Sequence, residues 1–322
     1  MRTRLLLAAL LLAATGLLAG CGKKTVSGPT VDQPAAPDQA QVADVLALEP
    51  AVVEDGQFES SDVSSLSGGQ PGALAAIRPL RFWRTITGVE RRFEYAFADT
   101  DSTGRPTTAV VTVHRLLTGR FNILTGQPRG DSTVRDTSAS IVHKPLADHW
   151  VRRILLKRVP GAEPGANAWR IVATSGVEVT SRAAQTHIES LRVQAAGTDT
   201  TITGVLRPFH LRRIFRLAPG TPVTLTVTTL RNDDVVVMCM RDRRFRFRNN
   251  GDNTYTGEWI VPDPRRGDGP GPAPGPGAPP ILHFGVNALS NGTLFDDQAP
   301  YDSQAWILPF IVGPDEIADA LP

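Results

Sequence analysis

The chain has 322 residues, with 34 Lys and Arg set against 32 Asp and Glu and a hydrophobic share of 41%. Length and apolar content suffice for a buried core and about two domains. The near balance of charge gives no support to nucleic acid or another polyanion as partner, and two cysteines supply no disulfide framework.

Residues 1–20 begin with Arg2 and Arg4, run through an apolar stretch from Leu5 to Leu12, and close on small residues. That order is the one an export signal needs, and the apolar stretch falls short of the roughly 20 residues of a spanning helix. Leu18-Ala19-Gly20-Cys21 resembles the bacterial lipobox. The resemblance implies cleavage before Cys21, lipid on its thiol, and a protein held on a membrane of the bacterial envelope. Gly22 is similar to the position that directs such proteins to the outer membrane in cells with two membranes. Acyl chains can carry this attachment alone, since each buried CH₂ contributes about 0.8 kcal/mol. Once Cys21 is acylated, Cys239 is the remaining thiol, so an intramolecular disulfide is not expected.

Residues 21–75 are rich in Gly, Ser, Pro, Ala, Gln and acidic residues, with Phe58 as the one aromatic. Such a segment buries too little apolar surface to offset its ordering entropy, and it is expected to be a disordered, lipid-anchored stalk. Within it Val42, Val45, Leu46 and Leu48 predict a short helix over Val42 to Val53.

Residues 76–217 are expected to form a β-rich domain. Phe93, Tyr95 and Phe97 alternate with polar or small residues, a turn follows at Asp99 to Gly104, and Ala109, Val111 and Val113 resume the alternation, which predicts a hairpin. Further strands are predicted at Arg152–Val159, Ala168–Ala173, Val177–Thr180, Ser190–Val193 and Thr200–Val205, while Ser181 to Ile188 reads equally as helix or strand. The pairing of Arg153-Ile154-Leu155-Leu156 with Trp169-Arg170-Ile171-Val172 loosely resembles the last strands of the curved cone of the nuclear transport factor superfamily.

Residues 218–313 predict a second, antiparallel sandwich. Val223, Leu225 and Val227 alternate with threonines, Val235 to Met238 form an apolar run, and Phe245 and Phe247 alternate with Arg244, Arg246 and Arg248. A turn at Asn249 to Asn253 leads to Tyr255, Gly257, Trp259 and Val261, and strands at Ile281–Leu289 and Trp306–Val312 complete the set. The segments Asn250 to Trp259 and His283 to Ala288 resemble bacterial immunoglobulin-like surface domains, which implies an immunoglobulin-like sandwich here. The Pro/Gly stretch 267–280 departs from that pattern and is expected to be an exposed loop; residues 314–322 read as a tail. The fold class expected for the whole is therefore all-β, in two domains after a stalk.

Chemistry is harder to find. None of the six histidines stands in a zinc spacing and no Gly-x-Ser-x-Gly elbow occurs, so neither a metal nor a cofactor is expected and no catalytic residue is assigned. His143, Asp148, His149 and Trp150 are the one cluster that a hydrolase would use. Arg243, Arg244, Arg246 and Arg248 offer guanidinium groups to an anion, against a plainer reading of Phe in the core and Arg in water. The run Arg212-Arg213-Ile214-Phe215-Arg216 reads as filling between the two domains. Asp296, Asp297 and Asp302 are candidate calcium ligands, although Asp is also an ordinary turn residue. The expected function is that of a non-enzymatic envelope lipoprotein with a structural or binding role toward an envelope protein or glycan. The alternatives are a hydrolase-like or ligand-binding pocket within 76–217, and an adhesion or assembly factor that offers a sheet edge.

Overall fold

The computed structural model describes residues 36–49, 52, 64–65, 76–126, 139–161, 167–183, 185–240, 243–262 and 281–313. The segment read as an export signal, Cys21, the Pro/Gly stretch and residues 314–322 lie outside them. The elements in chain order are α1 (Ala36–Leu48), β1 (Ser64–Ser65), β2 (Arg78–Thr100), β3 (Pro106–Gly126), β4 (Ser140–Arg158), β5 (Trp169–Ser181), β6 (Ile188–Ala195) and β7 (Thr198–Ile202). They continue with β8 (Phe209–His210), a 3₁₀ turn at Leu211–Arg213, β9 (Phe215–Leu217), β10 (Pro222–Thr229), β11 (Val235–Met240), β12 (Arg243–Arg246) and β13 (Arg248–Asn249). The last are β14 (Thr254–Ile260), β15 (Ile281–Leu289), α2 (Asn291–Phe295) and β16 (Ser303–Val312).

The protein is mainly β and its sheets are almost entirely antiparallel, as the sequence predicts. Among the described residues, eleven strands make one sheet in the order β1-β2-β3-β4-β5-β16-β15-β11-β12, with β8 beside β5 and β9 parallel to β16. Five more make a second sheet, β13-β14-β10-β6-β7. The predicted hairpin is present, with Phe93 opposite Val113 and Phe97 opposite Ala109.

The expected boundary between 217 and 218 does not divide the sheets. Before that boundary, β6 pairs with β10 beyond it (Leu225 opposite Val193), and β5 pairs with the last strand, β16 (Ile307 opposite Val177). The close approach of β5 to β16 requires the absence of a side chain at Gly176, where a Cβ would stand 2.7 Å from the Ile307 carbonyl oxygen. Pro309, opposite His283 of β15, lies in the gap of β16 between its last pairing with β5 and its first with β9.

Both faces of β16 are buried, and each face meets a different core. Trp306, Leu308, Phe310 and Val312 pack with Val223, Leu225, Val227, Tyr255 and Trp259 between the two sheets, which is the sandwich core. Ala305, Ile307 and Ile311 pack on the other side with Val111, Trp150, Ile154 and α1. A third cluster joins Phe82, Phe121 and Ile123, near one end of the strand order, to Val235, Val237 and Cys239 near the other. The large sheet therefore curls round on itself.

Helix α1 corrects part of the stalk expectation. Val42, Val45 and Leu46, with Val52 just beyond the helix, are buried in the curled sheet's core. The Asp38 carboxylate accepts from Arg158, the Val52 carbonyl from Arg152, and the Gln41 carbonyl from Asn167. The helix begins six residues earlier than the apolar pattern predicts. Residues 182–183 and 185–187 form neither the helix nor the strand considered for them.

Candidate functional site

A cavity of about 610 Å³ opens where the two sheets part. One wall is β7, an edge strand that pairs, among the described residues, with β6 through the hairpin turn at Gly197. From β7 the chain turns at residues 204–207, where the Arg207 N–H donates to the Gly204 carbonyl (3.1 Å), and then lays β8 against β5. The 3₁₀ turn and β9 form the opposite wall, with Phe215 opposite Phe310 and Arg216 opposite Ile311 in parallel register with β16. Leu308, whose side chain belongs to the sandwich core, also lines the cavity.

The lining divides by chemistry. Val205, Phe209, Ile214, Phe215 and Leu308 supply apolar surface, and Thr198, Thr200, Thr201 and Thr203 supply hydroxyls. Arg207 and Arg213 stand exposed at the rim, while Arg216 is half-buried and its Nη2 atom is buried without a hydrogen-bond partner. Asp199 is the one acid of the lining, and Arg192 takes both its oxygens from outside the cavity, at 2.8 and 2.6 Å. The sequence reading missed this site. The signal available was the basic and apolar run Arg212-Arg213-Ile214-Phe215-Arg216, which from sequence reads as filling between two domains.

The residues singled out from the sequence do not converge. Asp148 and His149 are neighbours on β4 and so point to opposite faces. Asp148 lies inside the curled sheet, where it accepts from the Tyr301 hydroxyl (3.1 Å) and pairs with Arg84 (3.6 Å). Arg84 also donates to Tyr301 Oη through Nη2 (2.9 Å), and Ser303 donates to the same oxygen (2.7 Å). Burial pushes both the Asp148 carboxyl and the Tyr301 phenol upward, Arg84 opposing it in each case. His149 is on the outer face, its ring stacked on His114 with the Nδ1 of His114 3.0 Å from its Nε2. Partial burial, and then the neighbouring His114, hold His149 below the ordinary histidine range. His143 bonds instead to Asn122 (2.7 Å), and Trp150 is buried beneath the Arg115 guanidinium at 4.5 Å. The cluster that a hydrolase would need is dispersed.

The arginine strand is likewise divided, because the chain changes sheets at Phe247. Arg244 and Arg246 pair with β11 in the large sheet, whereas Arg248 pairs with β14 in the small one. Phe247 is buried in the sandwich core with Phe245 stacked beside it, and Arg246 and Arg248 are exposed. Arg244 Nη1 reaches Cys239 Sγ at 3.1 Å, and the side chain of Arg243 lies outside the described residues.

Nor do the three acidic candidates form one site. Asp302 is buried and accepts from the N–H groups of Gln185 and Thr186 and from the Thr186 hydroxyl (3.0, 3.2 and 3.0 Å). Asp296 closes a turn by accepting from the Gln298 N–H at 2.9 Å. No group of three or more His, Cys, Asp or Glu able to hold a metal occurs among the described residues.

Comparison of the chain with protein-family models, with curated proteins and with solved structures gave no match.

Proposed function

We propose that this chain is a non-enzymatic binding protein of the bacterial envelope, held on a membrane by lipid on Cys21, with the cavity between β7 and β9 as its binding site. The observation that carries the binding reading is the cavity itself. Its volume of about 610 Å³ falls within the range of roughly 300–1,000 Å³ in which proteins hold small molecules, and its mixture of apolar walls and a few polar groups is the usual makeup of such sites. Asp148 on the inner face of β4 and His143 and His149 on the outer, each with a different partner, weigh against the hydrolase alternative. The lipid anchor rests on the resemblance of Leu18 to Cys21 to a lipobox.

Metabolic labelling with a fatty acid tests the anchor. The full-length chain should take up label and sediment with membranes, and Cys21→Ser should do neither. Equal labelling of the two would overturn the anchored reading.

A further inference from the structure

We propose that the cavity, taken as the binding site of the preceding reading, receives a small anionic amphiphile: one acidic headgroup on an apolar body. Its fixed charges are Arg207, Arg213 and Arg216 against Asp199 alone. Asp199 is already neutralised from outside by the two-point contact with Arg192, which leaves the cavity cationic. An anion is the complement to that charge. A guanidinium is also suited to it, since it presents paired N–H donors to the oxygens of a carboxylate, sulfonate or phosphate.

Arg216 fixes where the headgroup goes. Its backbone is held in the parallel register of β9 with β16, opposite Ile311, so the side chain starts from a rigid element. Its Nη2 atom is buried without a partner, a cost that turning the guanidinium toward an oxygen in the cavity removes. Phe209 and Phe215, both half-buried, belong to the same lining, so an apolar body reaching in from the headgroup meets them. A bare anion would leave that surface wet, and a neutral hydrocarbon would leave the guanidinium groups unmatched.

Two dyes of related shape and one bare-anion competitor separate these cases in fluorescence titrations of the full-length protein in detergent. They are anilinonaphthalene sulfonate, its uncharged counterpart phenylnaphthylamine, and inorganic phosphate as competitor. The sulfonate should bind saturably and more tightly than the amine, with phosphate competing weakly. Arg216→Gln should weaken the sulfonate about tenfold or more, the scale expected for one lost charged hydrogen bond, and leave the amine unchanged. Arg213→Gln should act in the same direction, and melting temperatures of both variants equal to the parent's confirm that folding is retained. Equal affinity for sulfonate and amine, unmoved by either substitution, would overturn the anionic class while leaving a binding cavity in place. Failure of every probe to bind would overturn the cavity reading as well. Palmitate and naphthoate as competitors then tell a lipid-derived acid from a compact aromatic one. Displacement by either supports the proposal, and displacement by neither contradicts it.

Discussion

The two faces of the large sheet solve the problem of burial differently. Toward the small sheet, the core is a nearly continuous set of aliphatic and aromatic side chains, with Trp259, Phe284 and Phe310 in mutual ring contact. Inside the curl, Arg84, Arg115, Lys144, Asp148, Arg152 and His283 are buried beside Trp150, Phe121 and Tyr301. The first face is held by removal of apolar area from water, which is non-directional and tolerates shape changes of modest size. The second also buries apolar clusters but adds directed bonds among charged groups, and a buried charge with a missing partner is costly. One sheet thus carries an apolar core on one side and, on the other, apolar clusters interleaved with buried polar networks, and the polar part should fail in its own way.

The largest expected effect is in the apolar core. Trp306 is buried between the sheets, and Trp306→Ala should cost about 3–5 kcal/mol, as truncation of a large core aromatic does, read as a lowered denaturant midpoint. Inside the curl, Asp148→Ala should cost a similar amount, about 3–5 kcal/mol, because it strands Arg84 without its carboxylate. The comparison sharpens with the double variant Arg84→Met, Asp148→Leu. It removes both charges and should recover most of the loss in the same denaturation assay, whereas no second substitution of that kind rescues Trp306→Ala.

A smaller effect should appear in the pH dependence. Burial raises the Asp234 carboxyl from 3.8 to about 6. The acid is therefore harder to ionise in the folded state than in the unfolded one, so its contribution to stability falls as pH rises from about 4 to 6 and stays low above that. Asp234→Asn should stabilise the protein at pH 7 by about 2–3 kcal/mol, following the size of the shift, and by little at pH 4. Melting curves of parent and variant at the two pH values measure this. A constant gap between them would contradict it. The smallest effect is expected for His149→Ala, which removes an outward ring stacked on His114 and should change stability by less than about 0.5 kcal/mol, as surface substitutions usually do.

Much of the local structure could be read in the sequence because period-two alternation fixes which side chains share a face. The hairpin of β2 and β3, the turn at Asn249 to Asn253, the half-buried β10 and the limits of β15 were all legible in this way. Alternation does not say which strand lies next to which, and the pairing of β5 with β16 joins residues more than 100 positions apart. A clue was nevertheless present. The uninterrupted apolar runs of β11 and β16 require cover on both faces, and a free-standing sandwich at 218–313 would have covered only one. The short helix in the stalk was visible from Val42, Val45 and Leu46, but its docking depends on surfaces contributed by β3, β4 and β5. The cavity was hidden for the same reason, since Arg216 and Leu308 come to line one cavity through the β9 to β16 register.

The most direct test of this shared-sheet account is to express residues 218–313 alone and compare them with the full chain by circular dichroism during thermal unfolding. The account predicts that the fragment lacks a cooperative transition, because β10 loses β6 and β16 loses β5 and β9, and that it binds none of the naphthalene probes. A fragment that melts cooperatively with a β-type spectrum would contradict it and restore two independent domains.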